Sequence, residues 1–138
     1  ESISLETDQY KKAKILYKIA VKFKKGGRKQ SARNYARKAL MNQPSMGRAY
    51  LLIASLYASS ANDCGDSQFN KRAIYWLAAE VANKAGRVDA SIKKLANKTA
   101  KSYMGRAPSK TDIFSEANEG SKITFNCWVG ASVRVPKL

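Results

Sequence analysis

Shifting the sequence by 34 residues brings Leu16, Ile19, Ala20 and Phe23 into register with Tyr50, Ile53, Ala54 and Tyr57. Self-similarity at such a period constrains the fold strongly, because a repeated unit that cannot bury its own apolar face must stack on its neighbours. Both sets read large-x-x-aliphatic-small-x-x-aromatic, which is one face of a helix. Ala20 and Ala54 leave room for a second helix to approach closely. Gly26-Gly27 then breaks the first helix. Beyond it, Ala32, Ala36 and Ala39 recur at helical spacing beside Tyr35 and Leu40, and Pro44 closes the run. A helix of about 15 residues, a Gly-rich turn and a second helix with a small-residue stripe make a helical hairpin.

Leu16, Ile19, Ala20, Phe23, Ala32, Ala36, Ala39 and Pro44 match the spacing of the tetratricopeptide repeat pattern, and the chain resembles that family. Leu16 stands for its Trp, Ala20 for its Gly and Ala36 for its Phe. The resemblance implies a mostly α fold, a TPR-like α-α superhelix of two helical hairpins plus a capping helix. The second copy departs from the pattern in its second half. Asp66 stands where a small apolar residue is expected, and the small stripe returns 12 residues late at Ala78, Ala82 and Ala85. The polar run between them reads as an insertion at about 59–68, followed by a helix over 69–85 that presents Phe69, Ala73, Trp76 and Leu77. A fifth helix over 89–104 has an apolar stripe of Val88, Ile92, Leu95, Ala96, Thr99 and Tyr103. Lys93, Lys94, Lys98 and Lys101 form its wet side, the polar outer face that an array needs at an open end. Residues 9–105 are thus the repeat region. Two repeats and a cap are near the minimum for a stable stack. Further repeats before Glu1, in a longer parent or a partner, would fit the pattern, as would a removed leader.

Residues 106–138 are different. Ser109 with Asp112 three residues on has nearly the capping-box form of a helix start. From Lys122 the period changes to alternation, with Ile123, Phe125, Cys127 and Val129 on one face and Thr124, Asn126 and Trp128 on the other. Gly130-Ala131-Ser132 reads as a turn and Val133–Val135 as a second strand, so a short C-terminal β-hairpin is expected. An isolated hairpin is marginal in water, so it must pack on the helices or on a partner.

Cys64-Gly65-Asp66, Ala73-Ile74-Tyr75-Trp76 and Cys127-Trp128-Val129 occur together with the repeat. In this combination the chain is similar to a set of bacterial, exported TPR proteins, a resemblance that carries a fold and no activity. Cys64 and Cys127 have three readings: two free buried thiols, a reactive or metal-binding pair, or a disulfide between the inserted loop and the hairpin. The second is poor, because two thiols without a Cys-x-x-Cys or any histidine do not make a zinc site. The third is favoured, since closing such a loop would stabilise by roughly 4 kcal/mol in the chain-entropy model and would hold the hairpin down. A disulfide implies an oxidising compartment, hence a periplasmic or envelope-associated location; free thiols would suit the cytoplasm.

The net charge is +16, and it is unevenly distributed. From Gln9 through Asn62 there are 13 Lys or Arg and no acidic residue. Such a one-sign field attracts acidic proteins or polyanions in a salt-dependent way. No apolar run approaches the roughly 20 residues needed to cross a bilayer, so no transmembrane segment is expected. With no histidine in the chain, a Ser-His-Asp arrangement is impossible and the commonest metal ligand is missing. Gly26-Gly27 lacks the Gly-Lys-Ser/Thr ending of a phosphate loop. The carboxylate pairs Asp63 with Asp66 and Glu116 with Glu119 lie in turns or helix ends. Neither catalysis nor a cofactor or metal is expected.

In the tetratricopeptide family the first helix of each hairpin lines a concave groove. Carried onto this chain, the groove residues are Lys14, Tyr17, Lys18, Val21 and Lys25 from the first hairpin, with Arg48, Leu51, Leu52 and Ser55 from the second. A cationic end beside an apolar one suits an acidic or amphipathic protein segment, in a scaffold that serves as one subunit of a larger complex. Tyr17 and Val21 replace two residues of the family's carboxylate clamp, so capture of a peptide C-terminus is not expected. The second reading is binding of a polyanion, RNA or anionic glycan, by the basic 9–48 surface, where Tyr10, Tyr17, Phe23, Tyr35 and Tyr50 supply aromatics.

Overall fold

The computed structural model describes the backbone of residues 2–138 and the side chains from Thr7 onward. Helices α1 (Ser2–Lys25) and α2 (Lys29–Asn42) form a first antiparallel hairpin. Helices α3 (Gly47–Ala58) and α4 (Gln68–Val88) form a second, and α5 (Lys93–Met104) packs on α4. A short α6 (Lys110–Glu116) leads into strands β1 (Lys122–Thr124) and β2 (Ser132–Arg134). Two helical hairpins, a capping helix and a small C-terminal sheet are therefore present.

The small residues of the repeat explain how the hairpins close. Ala20, Ala32, Ala36 and Ala39 are fully buried where α1 meets α2, and Ala54 is fully buried in the second hairpin. The first turn needs a glycine, because Gly27 has φ of 77°, in the left-handed region that side chains resist. Past the turn, the Phe23 and Tyr35 rings stack at 5.3 Å between centroids. At 24 residues α1 is longer than its expected extent, and α4 begins at Gln68 and ends at Val88, a little beyond 69–85. The inserted loop contains a 3-10 turn at Ala61–Asp63.

The start of the capping helix differs from expectation. Residues Ala90–Ile92 form a 3-10 turn and the α-helix proper begins at Lys93. Asp89 enforces this, because its Oδ1 accepts from the Ser91 N–H at 3.1 Å and its Oδ2 accepts from the Gly47 N–H at 3.2 Å. With the helix phase set this way, Ala96 and Ala100 take the buried side and Leu95 is 53% exposed rather than part of the stripe.

The tail forms as its caps dictate. Ser109 Oγ accepts from the Asp112 N–H at 3.1 Å and Asp112 Oδ2 accepts from the Ser109 N–H at 2.8 Å, a reciprocal capping box. Arg72 on α4 ties this corner down by donating to the Arg106 and Ala107 carbonyls and to Asp112. Strands β1 and β2 are antiparallel, with Ile123 opposite Val133. The expected strand through Val129 stops at Thr124. Phe125 donates its N–H to the Ala131 carbonyl at 2.9 Å and accepts from Gly130 at 3.1 Å, so residues 126–129 form a loop instead. Phe125, Val129, Val133 and Val135 are buried and join the helical core.

Candidate interaction surface

The expected groove residues divide into two groups. Lys14, Lys18, Lys25 and Arg48 are exposed, and Tyr17, Val21 and Ser55 are half-buried. The fold brings α1 and α3 together at Tyr17 and Arg48, whose guanidinium carbon sits 5.0 Å from the Tyr17 ring centroid. Such a contact contributes about 0.5–1 kcal/mol at an exposed site. Ser55 is turned inward on its own helix, donating its hydroxyl to the Leu52 carbonyl at 2.7 Å.

Leu51 and Leu52 do not supply the apolar end of a groove. Leu52 is 5% exposed and belongs to the core, which corrects its assignment as a groove residue. Leu51 is half-buried against Ala54, Ala79, Ala82 and Ala100, the cluster where α3, α4 and α5 meet. The alanines of α4 and α5 let those helices approach closely enough to cover Leu51, whereas Leu52 packs into the main core. The α1–α3 face is therefore cationic rather than half cationic and half apolar.

At one end of α2 lies a cluster that links three parts of the chain distant in sequence. Cys64 and Cys127 form a disulfide, with Cα atoms 5.3 Å apart, joining the inserted loop to the 126–129 loop. Beside it, Arg33 of α2 is only 7% exposed. Its Nη1 donates to the Val129 carbonyl at 2.7 Å and the Tyr57 hydroxyl at 3.2 Å, and its Nη2 donates to the Trp128 carbonyl at 3.0 Å. The guanidinium also lies over the Trp128 ring at 4.8 Å and the Tyr57 ring at 5.8 Å. Ser60, fully buried, donates to the Leu56 carbonyl and accepts from Trp128 Nε1 at 3.0 Å and Lys29 Nζ at 3.2 Å. Lys29 reaches on to the Ser59 carbonyl at 2.9 Å and to Asp63 at 3.8 Å.

Arg33, Ser60 and Lys29 were not singled out by the sequence. Arg33 follows Ala32 of the small stripe and precedes Ala36 by three, so it stands at the edge of the buried face. That is the one local signal of its burial. Among the described residues no three His, Cys, Asp or Glu side chains gather as a metal ion requires. No described helix is long and apolar enough to cross a membrane. Comparison with protein families, curated proteins and solved structures finds no match for this chain.

Proposed function

We propose that the chain is a non-catalytic protein-interaction scaffold of the tetratricopeptide type, a subunit of a larger bacterial complex, which binds an acidic segment of a partner on its α1–α3 face. The observation that carries this reading is the pairing of Tyr17 with Arg48 amid exposed Lys14, Lys18 and Lys25, on a surface whose two helices carry no carboxylate between Gln9 and Asn62. Neither cysteine is available as a nucleophile, because each is bonded to the other. The disulfide and the lack of a membrane-crossing helix among the described residues suit an extracellular or envelope location.

Polyanion binding is the second reading, favoured by the same one-sign field. Three of the aromatics available to it already face cations of the chain. The Phe23 ring faces Arg28 at 5.2 Å, Tyr35 faces Lys38 at 4.6 Å, and Tyr17 faces Arg48. Rings capped by the protein's own cations are poor platforms for stacking bases. Affinity capture with in-situ crosslinking tests the choice, comparing the wild type with the triple charge reversal Lys14→Glu, Lys18→Glu, Arg48→Glu. A protein crosslinked to the wild-type face and lost from the variant is expected. Binding of random-sequence RNA with a steep salt dependence, and no crosslinked protein, would overturn the scaffold reading.

A further inference from the structure

The side of α3 opposite Arg48 carries a second cleft. Tyr50 and Ile53 lie roughly half a turn around the helix from Arg48 and Ser55. Helices α2 and α4 flank this side, and both pack on α3 without packing extensively on each other. The gap between them has a volume of about 400 Å³, with Ile53 and Tyr57 as its floor. Leu40 and Met41 of α2 form one wall and Val81 of α4 the other, with Arg37 and Lys84 on the two rims. Met41 is 82% exposed, a large apolar side chain left in water at the edge of an apolar cleft. An unbranched thioether is also the side chain that repacks most readily around a partner.

Both rims of the cleft are cationic. Helices α2 and α3 contain no carboxylate. Lys84 lies over the Tyr50 ring at 5.2 Å. On α4, Glu80 stands one turn before Lys84 but makes no ion pair with either rim cation.

We propose that the α2–α4 groove docks an amphipathic helix of a partner protein whose apolar stripe is flanked by acidic residues. An apolar floor between two helical walls is the geometry in which a third helix lays down side chains spaced i, i+3 or i+4, and i+7. A cleft of this size takes roughly two or three large apolar side chains. Acids on the two flanks of that stripe meet Arg37 on one rim and Lys84 on the other. A second copy of this chain fits poorly, because two molecules of charge +16 repel each other. This groove and the α1–α3 face lie on different sides of the molecule, so one can fail without the other.

The test is fluorescence anisotropy with a labelled, helix-stapled peptide carrying Leu at i, i+4 and i+7 and Glu at the flanking positions. A peptide with Lys at those flanks serves as the control. The expected results are saturable binding of the Glu peptide, at least tenfold weaker binding of the Lys peptide, and at least tenfold loss with Arg37→Glu/Lys84→Glu or with Met41→Asp. Lys14→Glu/Lys18→Glu is expected to change the affinity less than threefold. All three variants alter exposed side chains, and circular dichroism checks their fold. Failure of the Glu peptide to bind, equal binding of both peptides, or undiminished binding to Met41→Asp overturns the proposal. Self-association abolished by Met41→Asp in sedimentation overturns it in favour of a second copy. Equal displacement of the peptide by random-sequence RNA, lost in Arg37→Glu/Lys84→Glu, overturns it in favour of a polyanion.

Discussion

The guanidinium of Arg33 lies 4.8 Å from the centroid of the Trp128 ring while its Nη2 donates to the backbone carbonyl of that same residue at 3.0 Å. A single loop residue thus offers a π face and a carbonyl to one cation of α2. Among the described residues no carboxylate balances Arg33. Carbonyl dipoles and two aromatic rings replace the water it loses, and its Nε is left without a partner. Arg33→Ala leaves the Val129 carbonyl without its donor and removes the cation–π contacts, so a loss of about 2–4 kcal/mol is expected. The measurement is the urea midpoint followed by tryptophan fluorescence. Arg33→Lys should recover less than half of it, because one ammonium cannot reproduce a fork serving two carbonyls and a hydroxyl. A midpoint unchanged by Arg33→Ala would show that the cluster contributes nothing to stability.

The disulfide acts on the same loop from the other side. Its cysteines are 63 residues apart, and closing a loop of that length restricts the unfolded chain by roughly 4 kcal/mol in the chain-entropy model. Cys64→Ser/Cys127→Ser is expected to lower the unfolding free energy by about 2–4 kcal/mol. It should also raise amide exchange selectively over residues 120–135, where short strands depend on the tether. Reductant should bring the wild type to the variant's midpoint and leave the variant unmoved. Exchange rising uniformly over all helices instead would mean that the bond stabilises the chain as a whole and not the sheet.

The helical hairpins were legible because their determinants are local. Ala20 and Ala54 recur at fixed spacing, and both are fully buried at helix contacts. Ser109 and Asp112 are three residues apart and cap the same helix. Cys64 and Cys127 were legible as candidates by being the only two of their kind, and the fold decides among their three readings. Arg33 was hidden among the cations of α2, since its burial depends on carbonyls 95 and 96 residues further on. Leu52 was misread because its burial in the main core depends on how the other helices are placed around α3, which local spacing does not record. The strand expected through Val129 failed for a related reason. Alternation records which side chains are buried, and Phe125 and Val129 are, but the bond from Gly130 to Phe125 and the pull of Cys127 towards Cys64 bend the backbone out of the ladder.

Gly47 marks a close approach that no side chain can enter. A Cβ there would stand 2.5 Å from Ile92 Cδ1, 2.7 Å from Asp89 Cβ and 2.9 Å from the Ala85 carbonyl oxygen. Gly47→Ala must push the start of α3 away from the α4–α5 junction, and a loss of about 1–3 kcal/mol is expected. Gly26→Ala is the contrast. Its Cβ would meet nothing nearer than 3.6 Å, so reduced freedom of the unfolded chain should leave stability unchanged or raised by up to about 1 kcal/mol. Thermal melts of the two variants should therefore move apart; equal shifts would rule out close packing at Gly47 as the cause.

Asp89 connects that same junction to pH. Hydrogen bonds from the Ser91 side chain, and from the Gly47 and Ser91 N–H groups, hold its carboxyl below the ordinary value, with Arg48 adding to the effect. A carboxyl with a depressed folded pKa contributes stability that is fully present above its unfolded value, about 3.9, and is lost as pH falls through the folded one. Melting temperature should therefore drop between pH 5 and pH 2.5 more in the wild type than in Asp89→Asn, which cannot titrate there. Glu80 works in the opposite sense. Burial raises its pKa, so protonation favours the folded state as pH falls through the raised value. Glu80→Gln should steepen the acid loss by removing that opposing contribution, and it should raise stability at neutral pH, where the charged form is disfavoured. Parallel pH profiles for the wild type and Asp89→Asn would exclude the Asp89 carboxylate as a source of acid sensitivity. The links between α3 and the α4–α5 turn would then owe their strength to packing at Gly47 rather than to charge.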